Sequence, residues 1–177
     1  MKRRFEQLVD KHGGQLLQLA MFMLRSQAEA EDVVQDCLVK LWRQLAQLID
    51  GEELPWLITC TRNACLDRLR TDRRRGELLQ GFARSLEPAE PSKLPEQHHI
   101  STRRAAELHA AIAELPEPGR SLLILRDIQE LDVDSVASAL SLSENQVKVY
   151  TFRARRALRL ALESSQQLEE EHHEQFA

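Results

Sequence analysis

The sequence predicts an all-α protein, two small helical domains joined by a flexible linker. Three observations carry this. Apolar residues recur at helical spacing through most of the chain, and strand-type alternation is absent. One aperiodic stretch, Gly76 to about Gln97, gathers Pro88, Pro91 and Pro95 among Ser, Glu and Gly, the composition of a linker. The 177 residues suffice for one large domain or two small ones, and no fixed-period repeat is present.

The elements follow in order. Over 3–24, Phe5, Leu8, Val9, His12, Leu16, Leu19, Ala20 and Met23 share one stripe. Gly13-Gly14 interrupts it at up to ~2 kcal/mol relative to alanine, which predicts a kink or break. Ser26 followed by Glu29 is a capping-box pattern opening a second helix, with Val34, Cys37, Leu38, Leu41, Leu45 and Leu48 on its buried side. Cys37 therefore reads as a small core hydrophobe. Asp50-Gly51 ends that helix, and Pro55 suits the first turn of a third one running to about Arg74. Beyond the linker, helices are expected at about 101–115, 119–129, 133–140 and 143–163, the first two separated by Pro116 and Pro118. Only Ser141-Leu142 joins the last two, and Ser143 with Gln146 makes a second capping box. A short helix, a tight turn and a longer basic helix form a helix-turn-helix.

Hydrophobic residues at 42% and charged residues at 29% are ordinary for a soluble globular protein. No run reaches the roughly 18 apolar residues of a membrane span. The basic start Met1-Lys2-Arg3-Arg4-Phe5 is followed by Glu6, Gln7 and Asp10, so no signal-peptide apolar stretch is present. Cys37, Cys60 and Cys65 form no CxxC pair, which points to a reducing, cytoplasmic setting. Cys60 and Cys65 lie about 140° apart on a helix and are not placed to chelate together. His98-His99 and His172-His173 lie at the linker edge and in the acidic tail, without zinc spacing. A Gly-rich phosphate loop, HExxH and GxSxG are all missing. The expectation is therefore no cofactor, no metal and no enzymatic activity.

The net charge of −4 conceals an uneven distribution. Residues 62–75 balance to +4, residues 145–162 to +5 with no acid among them, and residues 163–177 to −5. Two basic blocks in an otherwise acidic chain suggest two contacts with a polyanion. On the final helix, Val147, Tyr150, Thr151, Ala154, Leu158 and Ala161 fall on one side. Lys148, Phe152, Arg155 and Arg159 form an adjacent stripe, with Arg153 and Arg156 further round. In a helix-turn-helix the first turns of the second helix reach base edges, here Glu144, Asn145, Gln146, Lys148 and Val149. Amides pair with adenine, Lys with guanine, and Glu accepts from cytosine. The later arginines suit phosphates.

On the third helix, Trp56, Thr59, Asn63, Asp67 and Arg70 share a face that runs into Arg73, Arg74 and Arg75. An aromatic beside amides and cations is the composition of a single-strand platform. Burial of Trp56 against a neighbouring helix is an equally open reading. Glu31, Asp32, Gln35 and Asp36 lie on the side of the second helix away from its apolar stripe. The helix dipole accounts for acids in the first turn, but poorly for Asp36.

Together these residues resemble the bacterial RNA polymerase sigma factors of the extracytoplasmic-function (ECF) type, the two-domain members of the sigma-70 family. Ala30-Glu31-Asp32-Val33-Val34-Gln35-Asp36 followed by Leu41-Trp42 is similar to the segment that docks on the polymerase β′ clamp. Trp56-Leu57, Arg62-Asn63 and Leu66-Asp67-Arg68-Leu69-Arg70 resemble the segment that opens and reads the minus-ten element. Leu115-Pro116 with Arg120, Val136-Ala137, Val147-Lys148 and Arg153-Ala154-Arg155 with Leu158 resemble the domain that reads the minus-thirty-five element. Family members often carry glycine where this chain has Ser141.

The resemblance implies sigma region 2 over 1–75, a linker over 76–100, sigma region 4 over 101–165 and an acidic tail over 166–177. It implies promoter-directed transcription initiation with core RNA polymerase (β′ clamp and β flap), promoter DNA and an anti-sigma factor as partners. Core binding would fall to Glu31, Asp32, Gln35 and Asp36. Minus-ten contacts would fall to Trp56, Asn63, Asp67, Arg70, Arg73 and Arg74. Minus-thirty-five contacts would fall to Glu144, Asn145, Gln146, Lys148, Val149, Phe152, Arg153, Arg155 and Arg156. The rival readings are a sigma mimic that occupies an anti-sigma protein and a dimeric helix-turn-helix repressor.

Overall fold

A computed structural model describes residues 1–80 and 99–174, with side chains over 1–74 and 105–164. Every regular element among them is helical: α1 (Lys2–Leu24), α2 (Gln27–Gln44), α3 (Glu53–Gln80), α4 (His99–Ala113), α5 (Gly119–Leu123), α6 (Val133–Leu140) and α7 (Glu144–Glu174). α5 runs on as a π-helical segment over Ile124–Ile128.

The N-terminal domain is α1 to α3 packed side by side. Its core holds Leu16, Leu19, Ala20 and Met23 of α1, Val34, Cys37 and Leu41 of α2, and Leu57, Ile58 and Cys65 of α3. The expected break at Gly13-Gly14 does not occur: α1 is continuous through both glycines. His12 and Leu16 are buried on either side of the pair, so the packed stripe holds the turn helical against the glycine propensity. Ser26 caps α2, its hydroxyl accepting from the Glu29 amide at 3.4 Å. The Glu29 carboxylate turns outward to Arg68 at 3.3 Å and does not complete the box. Arg4 secures the opposite end of the bundle, donating to the Leu45 and Leu48 carbonyls and pairing with Asp50 and Glu53 at 2.7 Å.

α3 continues to Gln80, past the expected end near Arg74. Glu77, Leu78, Leu79 and Gln80 are good helix formers, and a single Gly76 does not stop them. The expected linker therefore begins later than 76. Its residues 81–98, His98 included, lie outside the described residues.

In the C-terminal domain, Leu122, Leu123, Ile124 and Leu125 are all buried, so this segment is surrounded on every side. α5 and α7 approach closely where Gly119 meets Ala154; a Cβ on Gly119 would lie 3.3 Å from that of Ala154. Asp132 caps α6, accepting from the Ser135 amide at 2.8 Å. That bond is the main cause holding its carboxyl below the usual range. Ser141 ends α6 in the left-handed conformation, φ 54°, its amide donating to the Ala137 and Ser138 carbonyls. α7 then starts on a reciprocal box: the Ser143 amide donates to Gln146 Oε1 at 2.8 Å and the Gln146 amide to Ser143 Oγ at 3.2 Å. α7 extends beyond the expected 163 to Glu174 because neither Gly nor Pro interrupts it. The tail at 175–177 lies outside the described residues.

The two domains pack on one another. α6 and the start of α5 lie against α3, and α4 with the π-helical segment lies against α1. One hydrophobic cluster runs through both domains.

Candidate functional site

Three surfaces carry the residues singled out by sequence. The first is the outer side of α2, where Glu31, Asp32, Gln35 and Asp36 are all exposed. Glu31 accepts from Gln27 at 2.8 Å. Asp32 lies 3.6 Å from Arg68 of α3, so part of its charge is compensated within the domain. Asp36 has no ion-pair partner among the described residues. Trp42 extends this side, its ring 43% exposed and its edge packed on Phe5 with centroids 5.1 Å apart. The surface is acidic with an aromatic end, suited to a basic protein groove.

The second surface is on α3, and the structure divides it. Asn63, Asp67, Arg70, Arg73 and Arg74 are exposed. Arg70 pairs with Asp67 at 2.9 Å, and the Asn63 side-chain oxygen accepts from Arg62 at 3.5 Å. Trp56 is half-buried and packs against the core, which leaves only one side of its ring for a ligand.

The upper end of this face meets the C-terminal domain. The Thr59 hydroxyl donates to the Ala139 carbonyl at 2.7 Å and to Pro55 within its own helix at 2.8 Å. Arg62 donates to Ser121 Oγ at 2.8 Å and to Glu117 Oε2 at 3.0 Å. Ser121 donates to the same Glu117 oxygen at 2.7 Å, closing a three-membered polar cluster. Alongside it, Phe22 stacks on His109 with centroids 3.8 Å apart, and Gln129 donates to the Gln15 carbonyl at 2.8 Å. Burial, with Arg25 nearby, keeps the His109 pKa below its ordinary value. Sequence reasoning placed Arg62 in a basic block but missed this seam. Arg62 and Glu117 are 55 residues apart, and no local pattern joins them.

The third surface is the outward side of α7. Val147, Thr151 and Ala154 are buried against the domain, as the periodicity requires. Asn145, Val149, Phe152 and Arg156 are exposed and fall within about 60° of one another on the helix. Phe152 is 68% exposed and Val149 37%, apolar groups held in water beside an amide and a guanidinium. Glu144 and Lys148 pair with each other at 3.3 Å, and Gln146 gives its side-chain oxygen to the cap. Arg153 lies over the Tyr150 ring at 6.0 Å.

Arg155 departs from the sequence expectation most clearly. Its guanidinium forms a two-pronged contact with Asp127, at 2.8 and 2.5 Å, tying α7 to the π-helical segment. That hydrogen bond, with the charge of Asp127, raises its pKa. Among the described residues no group of three or more His, Cys, Asp or Glu could hold a metal ion. No helix among them is long and apolar enough to cross a membrane.

Two family descriptions match in order: Sigma-70 region 2 over residues 8–75, and Sigma-70, region 4 over residues 105–158. The RNA polymerase sigma factor NccH of Alcaligenes xylosoxydans xylosoxydans is 32% identical over 167 residues, covering 92% of this chain and 88% of that protein. The chain belongs to the ECF sigma factors of the sigma-70 family. This sigma factor is also 25% identical to the ECF RNA polymerase sigma factor SigX of Bacillus subtilis, over 92% of this chain and 86% of that one. Some relatives are longer: the chain spans 63% of the ECF sigma factor SigE of Mycolicibacterium smegmatis, at 30% identity over 92% of its own length. Among solved structures, CnrH in complex with the cytosolic domain of CnrY superposes with a TM-score of 0.69 at 25% identity, covering 93% of this chain and 90% of that one. The sigma factor RpoE of Bartonella quintana, solved with the anti-sigma factor NepR, shares the fold with a TM-score of 0.68 at 24% identity, covering 91% and 98%.

Proposed function

We propose that this sigma factor binds core RNA polymerase through the exposed acidic side of α2 and directs it to promoters, reading DNA with two separate helices. The bond-forming chemistry belongs to the polymerase. Glu31, Asp32, Gln35 and Asp36 meet the β′ clamp, and the C-terminal domain meets the β flap. Asn63, Asp67, Arg70, Arg73 and Arg74, with one side of Trp56, capture the minus-ten strand. On α7, Asn145, Lys148 and Val149 face minus-thirty-five bases, with Glu144 and Gln146 beside them at the helix start. Phe152 meets thymine methyl groups, and Arg153 and Arg156 neutralise phosphates. Arg155 positions α7 through Asp127. The domains divide as region 2 over 1–75 and region 4 over 101–165, in a cytoplasmic protein that an anti-sigma factor holds in check.

The observation that carries the reading is the outward sector of α7. A helix entered through a capped tight turn exposes an amide, a guanidinium and two apolar side chains together, an arrangement suited to base edges and costly in water without them. The contacts of Thr59 and Arg62 add a condition: the C-terminal domain must leave α3 before both DNA surfaces can be engaged.

In vitro transcription with core polymerase on a promoter library tests this directly, with reproducible start sites expected only when the protein is added. Asp36→Arg should weaken core binding by several kcal/mol, through like charges across the clamp. Asn63→Ala should leave core affinity intact and reduce open complexes on duplex DNA, with recovery on a pre-melted template. Start sites that do not depend on the protein, or an Asp36→Arg variant with unchanged core affinity, would overturn the assignment. A dimer on a palindromic site would instead mark a repressor.

A further inference from the structure

We propose that Cys37 and Cys60 form a reversible dithiol switch, oxidised to a disulfide by hydroperoxides, between the polymerase-docking helix and the strand-capturing helix. The two residues lie on different helices, 23 positions apart in the sequence, yet α2 and α3 bring their thiols into hydrogen-bond contact. Cys37 is fully buried in the N-terminal core, and Cys60 is half-buried at its edge.

The environments of the pair differ in the way a redox couple needs. The hydrogen bond from Cys37 is the main cause that lowers the Cys60 thiol to about 7, with help from the Lys40 ammonium and against the effect of burial. The same bond and burial push Cys37 upward, away from ionisation. Cys60 is therefore substantially thiolate at neutral pH and partly open to solvent, the two conditions for attack on a peroxide. Cys65, buried and pushed up to about 12, is the bystander.

The chemistry balances without further reagents. The Cys60 thiolate attacks one oxygen of ROOH, the O–O bond breaks, and the alkoxide takes a proton and leaves as alcohol. Two electrons pass from sulfur to oxygen, and Cys60 becomes the sulfenic acid. Cys37 loses its proton as its sulfur attacks that of Cys60, expelling hydroxide, which takes this proton and leaves as water. Two thiols and one hydroperoxide give one disulfide, one alcohol and one water. A small dithiol reverses it by exchange.

Bond formation brings the sulfurs from contact to about 2.05 Å. The adjustment falls on α2 beside Asp36 and on α3 beside Thr59, whose hydroxyl holds the C-terminal domain. The functional consequence rests on the proposed sigma activity; the disulfide does not.

The test uses the reduced full-length chain, treated with a few equivalents of hydrogen peroxide, alkylated, and digested with trypsin without reductant. Cleavage after Lys and Arg isolates the cysteines in separate peptides, 26–40, 44–62 and 63–68. The expected product is a monomer with 26–40 joined to 44–62, two hydrogens lighter and released by dithiothreitol. Cys60→Ser should abolish the link and Cys65→Ser should leave its yield unchanged. Cys37→Ala, conservative for a buried thiol, should leave Cys60 oxidised but unlinked. A link between 44–62 and 63–68, purely intermolecular disulfides, or Cys60 oxidised in the wild type with Cys37 still alkylated would each overturn the proposal.

Core polymerase affinity is then measured for both forms. A loss of about fivefold or more on oxidation, the lower end of couplings between sites, is expected. A disulfide with unchanged core affinity would overturn the coupling to function. Failure of the reduced chain to bind core would instead overturn the sigma reading and leave the disulfide standing.

Discussion

Replacing Glu117 by Gln should release the C-terminal domain from α3 while leaving both domains folded. Glu117 is 23% exposed and Arg62 19%, so their pair lies between a surface and a buried ion pair. One carboxylate oxygen, Oε2, accepts from both Arg62 and Ser121, whereas Oε1 is buried without a partner. Gln keeps the shape and one acceptor but removes the charge, turning charge-assisted hydrogen bonds into neutral ones. The difference is about 1–2 kcal/mol, or roughly 5–30-fold in the ratio of closed to open chain. A ligand that binds only the open form gains affinity in proportion to the open fraction. The assay is therefore the affinity of the free protein for a single-stranded minus-ten oligonucleotide at fixed salt, compared with residues 1–80 alone as the uncovered limit. Glu117→Gln should move the full chain toward that limit by a similar factor. If wild type and variant bind equally, with both well below the fragment, the Glu117 cluster does not hold the domains together. If the wild type already binds as tightly as the fragment, the C-terminal domain does not cover the strand-capturing face at all.

Ser141→Gly should raise stability by up to about 1 kcal/mol, since a left-handed L-residue costs roughly 1–2 kcal/mol and glycine returns part of that as unfolded-state entropy. A urea midpoint that falls would refute it. Arg155→Ala should cost about 0.5–1 kcal/mol of stability through its exposed two-pronged pair, while Arg156→Ala lowers the salt slope of promoter binding by about one. A changed slope for Arg155→Ala would show that this guanidinium leaves Asp127 for DNA. The depressed His109 pKa gives a definite pH dependence. Below the ordinary 6.5 the unfolded imidazole binds a proton that the stacked one does not. Stability present above 6.5 is therefore lost as pH falls through and below it, by at most about 1.4 kcal/mol per pH unit for one proton. His109→Phe should shrink that loss to the share of His12, which burial shifts in the same direction. An unchanged profile would show that the Phe22 stack does not hold His109 neutral.

What was legible in the sequence followed from periodicity and caps. The stripe of α1, the Ser143–Gln146 box and the buried side of α7 all read directly, because each depends on residues within one or two turns. The Gly13-Gly14 break was misread for a physical reason: local propensity weighs at most about 2 kcal/mol there, and burial of His12, Leu16 and Leu19 outweighs it. Partners across helices were not legible. Asp127 lies 28 residues before Arg155, Glu117 lies 55 after Arg62, and Cys37 meets Cys60 only once α2 packs on α3. In each case the residue type was noticed and its neighbour was not, so Arg155 read as a phosphate contact and Cys37 as inert filling.

Those unseen partners account for how a chain with two basic blocks has a net charge of only −4. Many of its cations are engaged internally: Arg62 with Glu117, Arg68 with Glu29 and Asp32, Arg70 with Asp67, Lys148 with Glu144, and Arg155 with Asp127. The exposed pairs are each worth only about 0–1 kcal/mol, too little to resist a well-placed phosphate. Together they lower the positive potential that drives non-specific attachment to DNA, which depends on counterion release at many phosphates at once. A free sigma factor built this way is kept off random duplex by numerous weak contacts. Once core polymerase holds both domains near a promoter, effective concentration replaces bulk affinity, and each internal pair can be exchanged singly for a base or a phosphate. Arg62 differs in being less exposed and in binding the other domain, so its release from Glu117 is the step that links opening of the chain to capture of the strand.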